Sequence, residues 1–293
     1  MIVIRECRGF DELQACVDLQ IEVWGYSDGD VIPRRVFLVA QKIGGQVIGA
    51  FDTEIRGQGL GVRNEDGHAG SMIGFALALP GVKTGADSGT GGPESYLHSH
   101  MLAVREGFRD RKIGARLKLA QRADALRRGI DRIEWTFDPV EIKNAFLNIH
   151  KLGAIVRRYE ENFYGVSSSR LQGGLQTDRL VAEWWISSPR VAAAIEGRAE
   201  SDGGPDGKIL AQIRVPAAIY QWKADERLRH LAQEVQAENR HKFQKAFSEG
   251  MAVVAFRRDA EGNGIFHLGR WEEPAARSSA AFQQRLSLTN HEG

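Results

Sequence analysis

A strand that ends in a short basic loop and runs directly into a helix constrains the fold more than any other part of this chain. The segment is residues 97–129, LHSHMLAVREGFRDRKIGARLKLAQRADALRRG. The first turn of such a helix has free backbone N–H groups, and the helix dipole adds positive potential there. Arg109, Arg111 and Lys112 surround this helix start. The pattern predicts a site for an anion such as a phosphate.

Two histidines lie on the strand that leads into this loop. His98 and His100 alternate along it, so both side chains face the same side of the sheet, roughly 7 Å apart. One water molecule bridges such a distance. An imidazole with an ordinary pKa of about 6.5 accepts a proton near neutrality. The pair therefore predicts a general base or proton relay, with His98 as the base and His100 as its partner.

The net charge of the chain gives no support to a function that depends on a strongly charged protein. The chain has 293 residues, is 42% hydrophobic and 26% charged, and carries a net charge of +1. Such a balance gives no reason to expect nucleic acid or an anionic membrane as partner. The helix at Arg116–Arg128 is basic, but it lacks the interleaved aromatic residues of a nucleic-acid surface. We expect neither partner.

Cysteine use and the N-terminus favour a cytoplasmic protein without a metal. Cys7 and Cys16 form neither a disulfide framework nor a metal-ligand pattern, and we interpret them as small buried residues. The N-terminal MIVIRECRGF lacks the apolar core of a signal peptide. No apolar run approaches the ~20 residues that span a bilayer.

Strands and helices alternate after residue 96, which predicts a mixed α/β layer. The periodicity predicts a helix at Glu141–Leu152, a strand at Ala154–Tyr164 and a long helix at Ala224–Phe247.

Composition divides the chain at the linker candidate ESDGGPDGK, residues 200–208. We expect a catalytic domain in residues 1–199 and an α/β extension in residues 209–271. Residues 272–293 lack a clear period and are expected to be disordered.

The basic loop resembles the coenzyme A pyrophosphate loop of the GNAT acyltransferase superfamily, Arg/Gln-x-x-Gly-x-Gly/Ala. Here it reads Arg109-Asp110-Arg111-Lys112-Ile113-Gly114, followed by Ala115. Arg109 and Gly114 match, and Lys112 stands where the first glycine is usual. A side chain at that position is tolerable only if the backbone keeps an ordinary φ. The resemblance implies that residues 109–115 bind the cofactor.

A second block, NAFLNIHKLGA at residues 144–154, is similar to the later GNAT helix that usually ends in Tyr-Glu-Lys-Leu-Gly-Phe. The family's frequent tyrosine, which protonates the leaving thiolate, falls at Ile149. The general acid therefore stays open between His150, Tyr159, Tyr164 and solvent.

The resemblance extends over roughly residues 1–187 in layout. It implies a GNAT fold, with a mixed central sheet whose middle strands splay and whose faces carry helices. His98 and His100 fall where arylalkylamine N-acetyltransferases of the superfamily place a His-x-His proton relay. The backbone of Leu102 and Val104 is expected to bind pantetheine and the thioester carbonyl, and Asn144 to contact the pantetheine arm. The implied co-substrate is acetyl-CoA or another acyl-CoA.

These expectations converge on an N-acyltransferase that moves an acetyl or succinyl group from CoA to a primary amine of a small molecule, such as an amino acid. Arg157 or Arg158, of which at most one points inward, and Arg179 are candidates for contacting a substrate carboxylate. Succinyl transfer requires a cation near the acyl group, which no residue clearly supplies. The alternative is a CoA-binding regulator or pseudoenzyme without turnover. A homodimer is compatible with either function.

Overall fold

A computed structural model describes residues 1–26, 29–54, 61–63, 69–84, 92–165, 172–198 and 208–272. It is a mixed α/β structure built on one 11-stranded sheet with helices on its faces. The predicted fold class, a mixed sheet flanked by helices, is thereby confirmed.

The strands follow the alternation of apolar residues in the sequence. They are β1 (Ile2–Glu6), β2 (Gln46–Asp52), β3 (Gly61–Arg63), β4 (Ala69–Lys83), β5 (Glu94–Val104), β6 (Arg132–Phe137), β7 (Ile155–Glu160), β8 (Arg179–Trp185), β9 (Ala211–Val215), β10 (Met251–Arg258) and β11 (Gly264–Arg270).

Seven α-helices lie in the described part of the chain. They are α1 (Gly9–Trp24), α2 (Arg34–Lys42), α3 (Ile113–Arg127), α4 (Ile142–Ala145), α5 (Pro189–Ile195), α6 (Ile219–Ala224) and α7 (Arg229–Ser248). No helix among the described residues is long and apolar enough to cross a membrane.

The strand order is β1-β2-β4-β5-β6-β8-β7-β10-β11-β9, with β3 paired to β4 outside this path. Neighbouring strands are antiparallel except β5 and β6, which are parallel. Helices α1 and α2 cover one face of the first half, where Leu19 and Phe37 pack against Phe75. Helix α3 covers the other face, where Ile113 and Leu117 pack against Ile73.

The C-terminal strands β9, β10 and β11 continue the same sheet beyond β7. Phe243 of α7 shares a buried core with Val156 of β7 and Phe256 of β10. In the structure, residues 1–199 and 209–271 share one sheet and one core. Their division into two domains stays a prediction. Apart from Lys208 and Glu272, the expected linker and tail lie outside the described residues.

Three elements differ from the sequence prediction. The strand predicted for Ala154–Tyr164 ends at Glu160, where a turn with Asn162 at φ 47° follows. The long helix begins at Arg229, because α6 ends at Ala224 and Asp225 is extended. The helix predicted for Glu141–Leu152 is α4 followed by a π-helical turn at Phe146–Lys151.

A buried carboxylate attaches the helix α7 to the sheet. Asp178 is fully buried, and its side chain accepts hydrogen bonds from Tyr159 Oη at 2.5 Å and from Arg240 Nε at 2.9 Å. A buried charge is tolerated only when it is paired and hydrogen-bonded. Arg240 is therefore expected to be a main polar anchor of the C-terminal extension.

We predict that Arg240→Ala lowers the free energy of unfolding by roughly 2–3 kcal/mol, because it removes a hydrogen bond to a buried charge. Urea unfolding followed by circular dichroism measures the change. The matched control is Lys242→Ala on the same helix, whose partner Glu238 is 64% exposed. That variant should lose at most about 0.5 kcal/mol. Equal losses in the two variants would contradict the anchor.

Candidate active site

Parallel pairing between β5 and β6 ends soon after it begins. Leu97 pairs with Ile133 and His98 with Glu134, and no later pair joins these two strands, both of which are fully described. Beyond this point the two strands no longer pair, and we infer that they diverge and leave a gap between them. The edge of β5 from Ser99 to Val104 therefore presents backbone groups to a gap rather than to a neighbouring strand. Leu102 and Val104 lie on this edge, and their bonding to pantetheine stays a prediction.

A β-bulge sits at the same place on the other side of β5. Ser99 pairs with Ala78 and Met101 with Leu77, so that His100 is the extra residue. His98 and His100 lie on one side of the strand, with ring centroids 6.0 Å apart. Ser99 faces the opposite side and bonds to Gln121 of α3. The sequence alternation thus places both imidazoles together, on the face opposite α3.

The loop before α3 departs from one expectation. Lys112 has φ 60° and Asp110 has φ 62°, both in the left-handed region that favours glycine. The expectation that Lys112 keeps an ordinary φ is wrong. The chain retains the backbone turn that a glycine usually makes, at a cost of roughly 1–2 kcal/mol for each non-glycine residue.

The start of α3 has the free donors that an anion requires. Arg116 N closes the first helical turn by donating to Lys112 O at 3.0 Å. Within the described chain, the N–H groups of Ile113, Gly114 and Ala115 have no acceptor, and Lys112 gives no side-chain cap.

The side chains around this helix start are basic and exposed. Arg109, Arg111 and Lys112 are all exposed, and so is Asp110. Arg109 Nε donates to Val104 O at 3.3 Å, which holds the loop against the end of β5. The guanidinium of Arg111 lies over the Phe108 ring. Donors, helix dipole and cations are together what an anion site requires, and the binding of an anion here stays a prediction.

Gly114 brings the start of α3 close to the gap. A Cβ atom built on it would meet only Leu102 Cδ2, at 3.4 Å, which is the far end of a flexible side chain. The fold itself thus tolerates a methyl group at this position. A glycine here is better explained by the close approach of a ligand to the backbone.

The face of the sheet that carries His98 and His100 is called the histidine face. A buried network of ion pairs lies on this face, on the strands next to the histidines. Glu134 of β6 binds Lys83 at 2.9 Å and Arg158 at 2.8 Å, and Glu183 of β8 binds Arg157 at 2.6 Å. The expectation that only one of the two arginines points inward is wrong. A bulge between Val156 and Arg158 breaks the alternation of β7, so both arginines reach carboxylates of neighbouring strands.

The surroundings of His98 favour its neutral form. Burial, followed by His100, Lys118, Lys83 and Arg158, lowers the pKa of His98 to about 4. Burial also lowers the pKa of His100. Both imidazoles are therefore neutral at pH 7 and able to accept a proton. Such a low pKa makes His98 a weak base, better suited to passing a proton on through water than to holding it.

The candidates for the general acid differ in their surroundings. Ile149 is buried in the core. Tyr159 donates its hydroxyl hydrogen to buried Asp178 and packs against Phe243, away from the gap, and burial raises its pKa. His150 stacks on Phe146. Tyr164 lies 3.0 Å from Thr136, oxygen to oxygen, which places it beside β6, one of the two strands that border the gap.

Asn144 lies in α4, after β6, and its side chain is exposed. The π-helical turn that follows it widens the helix locally, a feature often found at functional sites. Its contact with a pantetheine arm stays a prediction.

Sequence reasoning missed a buried polar cluster on the α3 side of the gap. The cluster consists of Ser99, Lys118, Gln121 and Trp135, all of which are buried. Lys118 and Gln121 follow Gly114 by four and seven residues, which places them on the sheet-facing side of α3. Polar residues on the sheet-facing side of a helix can be recognised in a sequence. Here they were not recognised, because they lie within the basic run Arg116–Arg128.

Comparison with known proteins gives similar structures but no family assignment by sequence. No family model and no curated protein matches the chain. Among solved structures, Arabidopsis thaliana NAA60 in complex with acetyl-CoA is 14% identical, with a TM-score of 0.49 over 64% of this chain and 100% of that one. The ribosomal-protein-S18-alanine N-acetyltransferase of Escherichia coli is 13% identical, with a TM-score of 0.43 over 64% and 96%.

A proposed GNAT-family acetyltransferase from Desulfovibrio desulfuricans is 10% identical, with a TM-score of 0.43 over 64% of this chain and 100% of that one. Identities this low and TM-scores below 0.5 say nothing about the activity of this chain. Among the described residues, no group of three or more His, Cys, Asp or Glu side chains could hold a metal ion.

We predict that Lys112→Gly raises the free energy of unfolding by about 1 kcal/mol, because glycine adopts φ 60° without the Cβ penalty. Thermal and urea unfolding measure this change. Arg111→Gly is the control, since Arg111 is also exposed but has no positive φ. It should be neutral or destabilising. A Lys112→Gly variant that is less stable than the wild type would contradict the strain.

Proposed function

We propose that this protein is an acyl-CoA-dependent N-acyltransferase of the GNAT type, acting on a primary amine of a small molecule. One observation carries the proposal. The free helix N-terminus of α3, the unpaired edge of β5 and the two histidines follow one another along a single gap. These elements match the three parts of the reaction, which are phosphate binding, thioester binding and removal of a proton from the amine.

In this proposal residues 109–115 bind the CoA pyrophosphate through backbone N–H groups and the basic side chains. Pantetheine adds to the β5 edge as a strand would, bonding to the backbone of Leu102 and Val104. Asn144 contacts the arm from the β6 side. The donor is acetyl-CoA or a longer acyl-CoA.

The amine nitrogen attacks the thioester carbon and a C–N bond forms. The nitrogen releases a proton to His98, through water and with His100 beside it, from the histidine face of the sheet. The tetrahedral intermediate then collapses and the C–S bond breaks. The thiolate takes a proton from Tyr164 or from solvent.

Arg179 supports an acceptor that carries a carboxylate. It alternates with Val181 and Glu183 on β8, so it lies on the histidine face. Its guanidinium lies over the Tyr164 ring and donates to the Asp178 backbone oxygen and the Gln172 side chain. Within the described chain it has no carboxylate partner. An amino acid would place its carboxylate here and its amine toward His98.

A screen of thiol release tests the proposal. Acetyl-CoA and succinyl-CoA are each incubated with amino acids of both hands and with arylalkylamines. Amine-dependent release of CoA supports the proposal, and amino acids should exceed arylalkylamines if Arg179 binds a carboxylate. Tight CoA binding without release for any amine would support the regulator instead. The buried Ile149 at the position of the family's usual tyrosine is the observation that favours that alternative.

We predict that Gly114→Ala weakens CoA binding by about tenfold or more, because the added methyl group occupies the approach of the pyrophosphate to the helix start. Stability should be unchanged or slightly higher, since the Cβ meets only Leu102 Cδ2. Titration calorimetry measures the affinity. Gly107→Ala is the control, because its Cβ would meet nothing within 4 Å. If Gly114→Ala binds CoA as the wild type does, the helix start is not the pyrophosphate site.

We predict that His98→Ala and His100→Ala each lower kcat by about 100-fold while CoA affinity stays nearly unchanged, because proton transfer by a positioned base contributes this much or more. The pH profile gives a second readout. His98 is active when neutral, so activity is lost as pH falls through its pKa of about 4. The wild-type rate should therefore show no downward bend near pH 6.5. Full activity in both variants would exclude the assignment of the base.

A further inference from the structure

Lys118 is a buried cation without an anionic partner in the described chain. Its side chain is 4% exposed, and its Nζ donates to Ser99 Oγ at 2.9 Å. The same Nζ lies 3.5 Å from the centroid of the Trp135 ring. A hydroxyl and an aromatic face compensate an ammonium only in part, and burial accordingly lowers its pKa.

Lys118 lies at one end of the gap between β5 and β6. Ser99 is the first residue of β5 beyond the last pair, and Trp135 is the first residue of β6 beyond it. The Lys118 Nζ contacts both side chains, so it lies at the closed end of the gap, on the α3 side. The histidines lie on the other side of the sheet.

A second buried donor belongs to the same cluster. Gln121 is fully buried, and its Oε1 accepts a hydrogen bond from Ser99 Oγ at 2.9 Å. Its Nε2 has no hydrogen-bond partner among the residues that the structure describes. The cluster therefore offers an ammonium and an amide N–H in a buried place where no carboxylate of the described chain meets them. Groups of this kind are complementary to a carboxylate ligand.

The distances suit a short dicarboxylic acyl group. With the thioester carbonyl bonded to the backbone of Leu102, Ser99 lies three residues away along β5, about 10 Å. A four-carbon dicarboxylic acyl group extends about 4–5 Å beyond its thioester carbon, and a hydrogen bond at each end adds about 2.8 Å, so the group spans about 10 Å. An acetyl group would end short of the Nζ.

We propose that Ser99, Lys118, Gln121 and Trp135 form an acyl-end site that binds the free carboxylate of a dicarboxylic acyl-CoA, of which succinyl-CoA has the fitting length. This inference rests on the proposed function, since it places the thioester in the gap. Lys118 pairs with the carboxylate, Gln121 donates to it, and the Trp135 ring packs against the methylene groups. The cation that succinyl transfer requires, which the sequence did not reveal, is then Lys118.

The test uses two unreactive thioethers that differ only in charge. These are S-(3-carboxypropyl)-CoA and its primary amide, S-(3-carbamoylpropyl)-CoA. Because a hydrogen bond to a charged group is worth about 1.5–3 kcal/mol, the wild type should bind the carboxylate about 10- to 100-fold more tightly than the amide. Lys118→Met should reduce this ratio to near one. Calorimetry measures both affinities.

Lys112→Met is the control, since it removes a cation of the phosphate loop. It should weaken both thioethers by the same factor and leave their ratio unchanged. Equal binding of the two thioethers by the wild type would overturn the acyl-end site without recourse to any variant, even if the protein acetylates amines. A preference for the carboxylate in a protein that shows no turnover would retain the site and reject the proposed transferase.

With an active protein, the ratio of kcat/KM for succinyl-CoA to that for acetyl-CoA gives a separate reading. Lys118→Met should lower this ratio by about 10- to 100-fold. If it lowers both values equally, Lys118 acts on the thiolate or on folding, and the acyl-end site is wrong.

Discussion

The structure depends on where two parallel strands stop pairing. β5 and β6 are joined at Leu97 and His98 and then separate. On one side of this point the extra residue of the bulge in β5 is His100. On the other side Lys118 contacts Ser99 of β5 and Trp135 of β6, at the closed end of the gap. A sheet with complete pairing here would have neither an exposed backbone edge nor room for a ligand between its strands.

The place where β5 and β6 stop pairing also separates two polar environments, one on each face of the sheet. On the histidine face, the carboxylates of Glu134 and Glu183 are paired with three basic side chains, Lys83, Arg157 and Arg158, and the lowered pKa of His98 reflects burial and then the surrounding positive charge. On the α3 face, Lys118 has only the uncharged polar side chains of Ser99 and Gln121 beside it in the described chain. A thioester held between the strands would therefore receive the amine from one face and hold its acyl group toward the other, so that acceptor and acyl group do not compete for space.

The sequence was sufficient for the parts of the site that depend on local spacing. Alternation placed His98 and His100 on one face, and the run from Arg109 to Gly114 predicted the free helix start. It was insufficient where two strands fall out of register. The bulge that turns Arg157 and Arg158 to the same face, and the left-handed backbone of Lys112, depend on contacts between distant segments. In the sequence, charged residues at such places cannot be distinguished from ordinary surface charges.

Lys118 shows why this distinction matters for function. In the sequence it is one cation of a basic helix, and its i+4 relation to Gly114 is a weak signal by itself. Only the packing of α3 against the gap buries its ammonium beside Ser99 and Trp135. An isolated buried charge is expensive, and a chain that needed only to pack α3 could place an apolar side chain there with no loss of stability. Lys118 is therefore better understood as a site for an anion than as part of the core, and the gap above it supplies the route by which that anion would arrive.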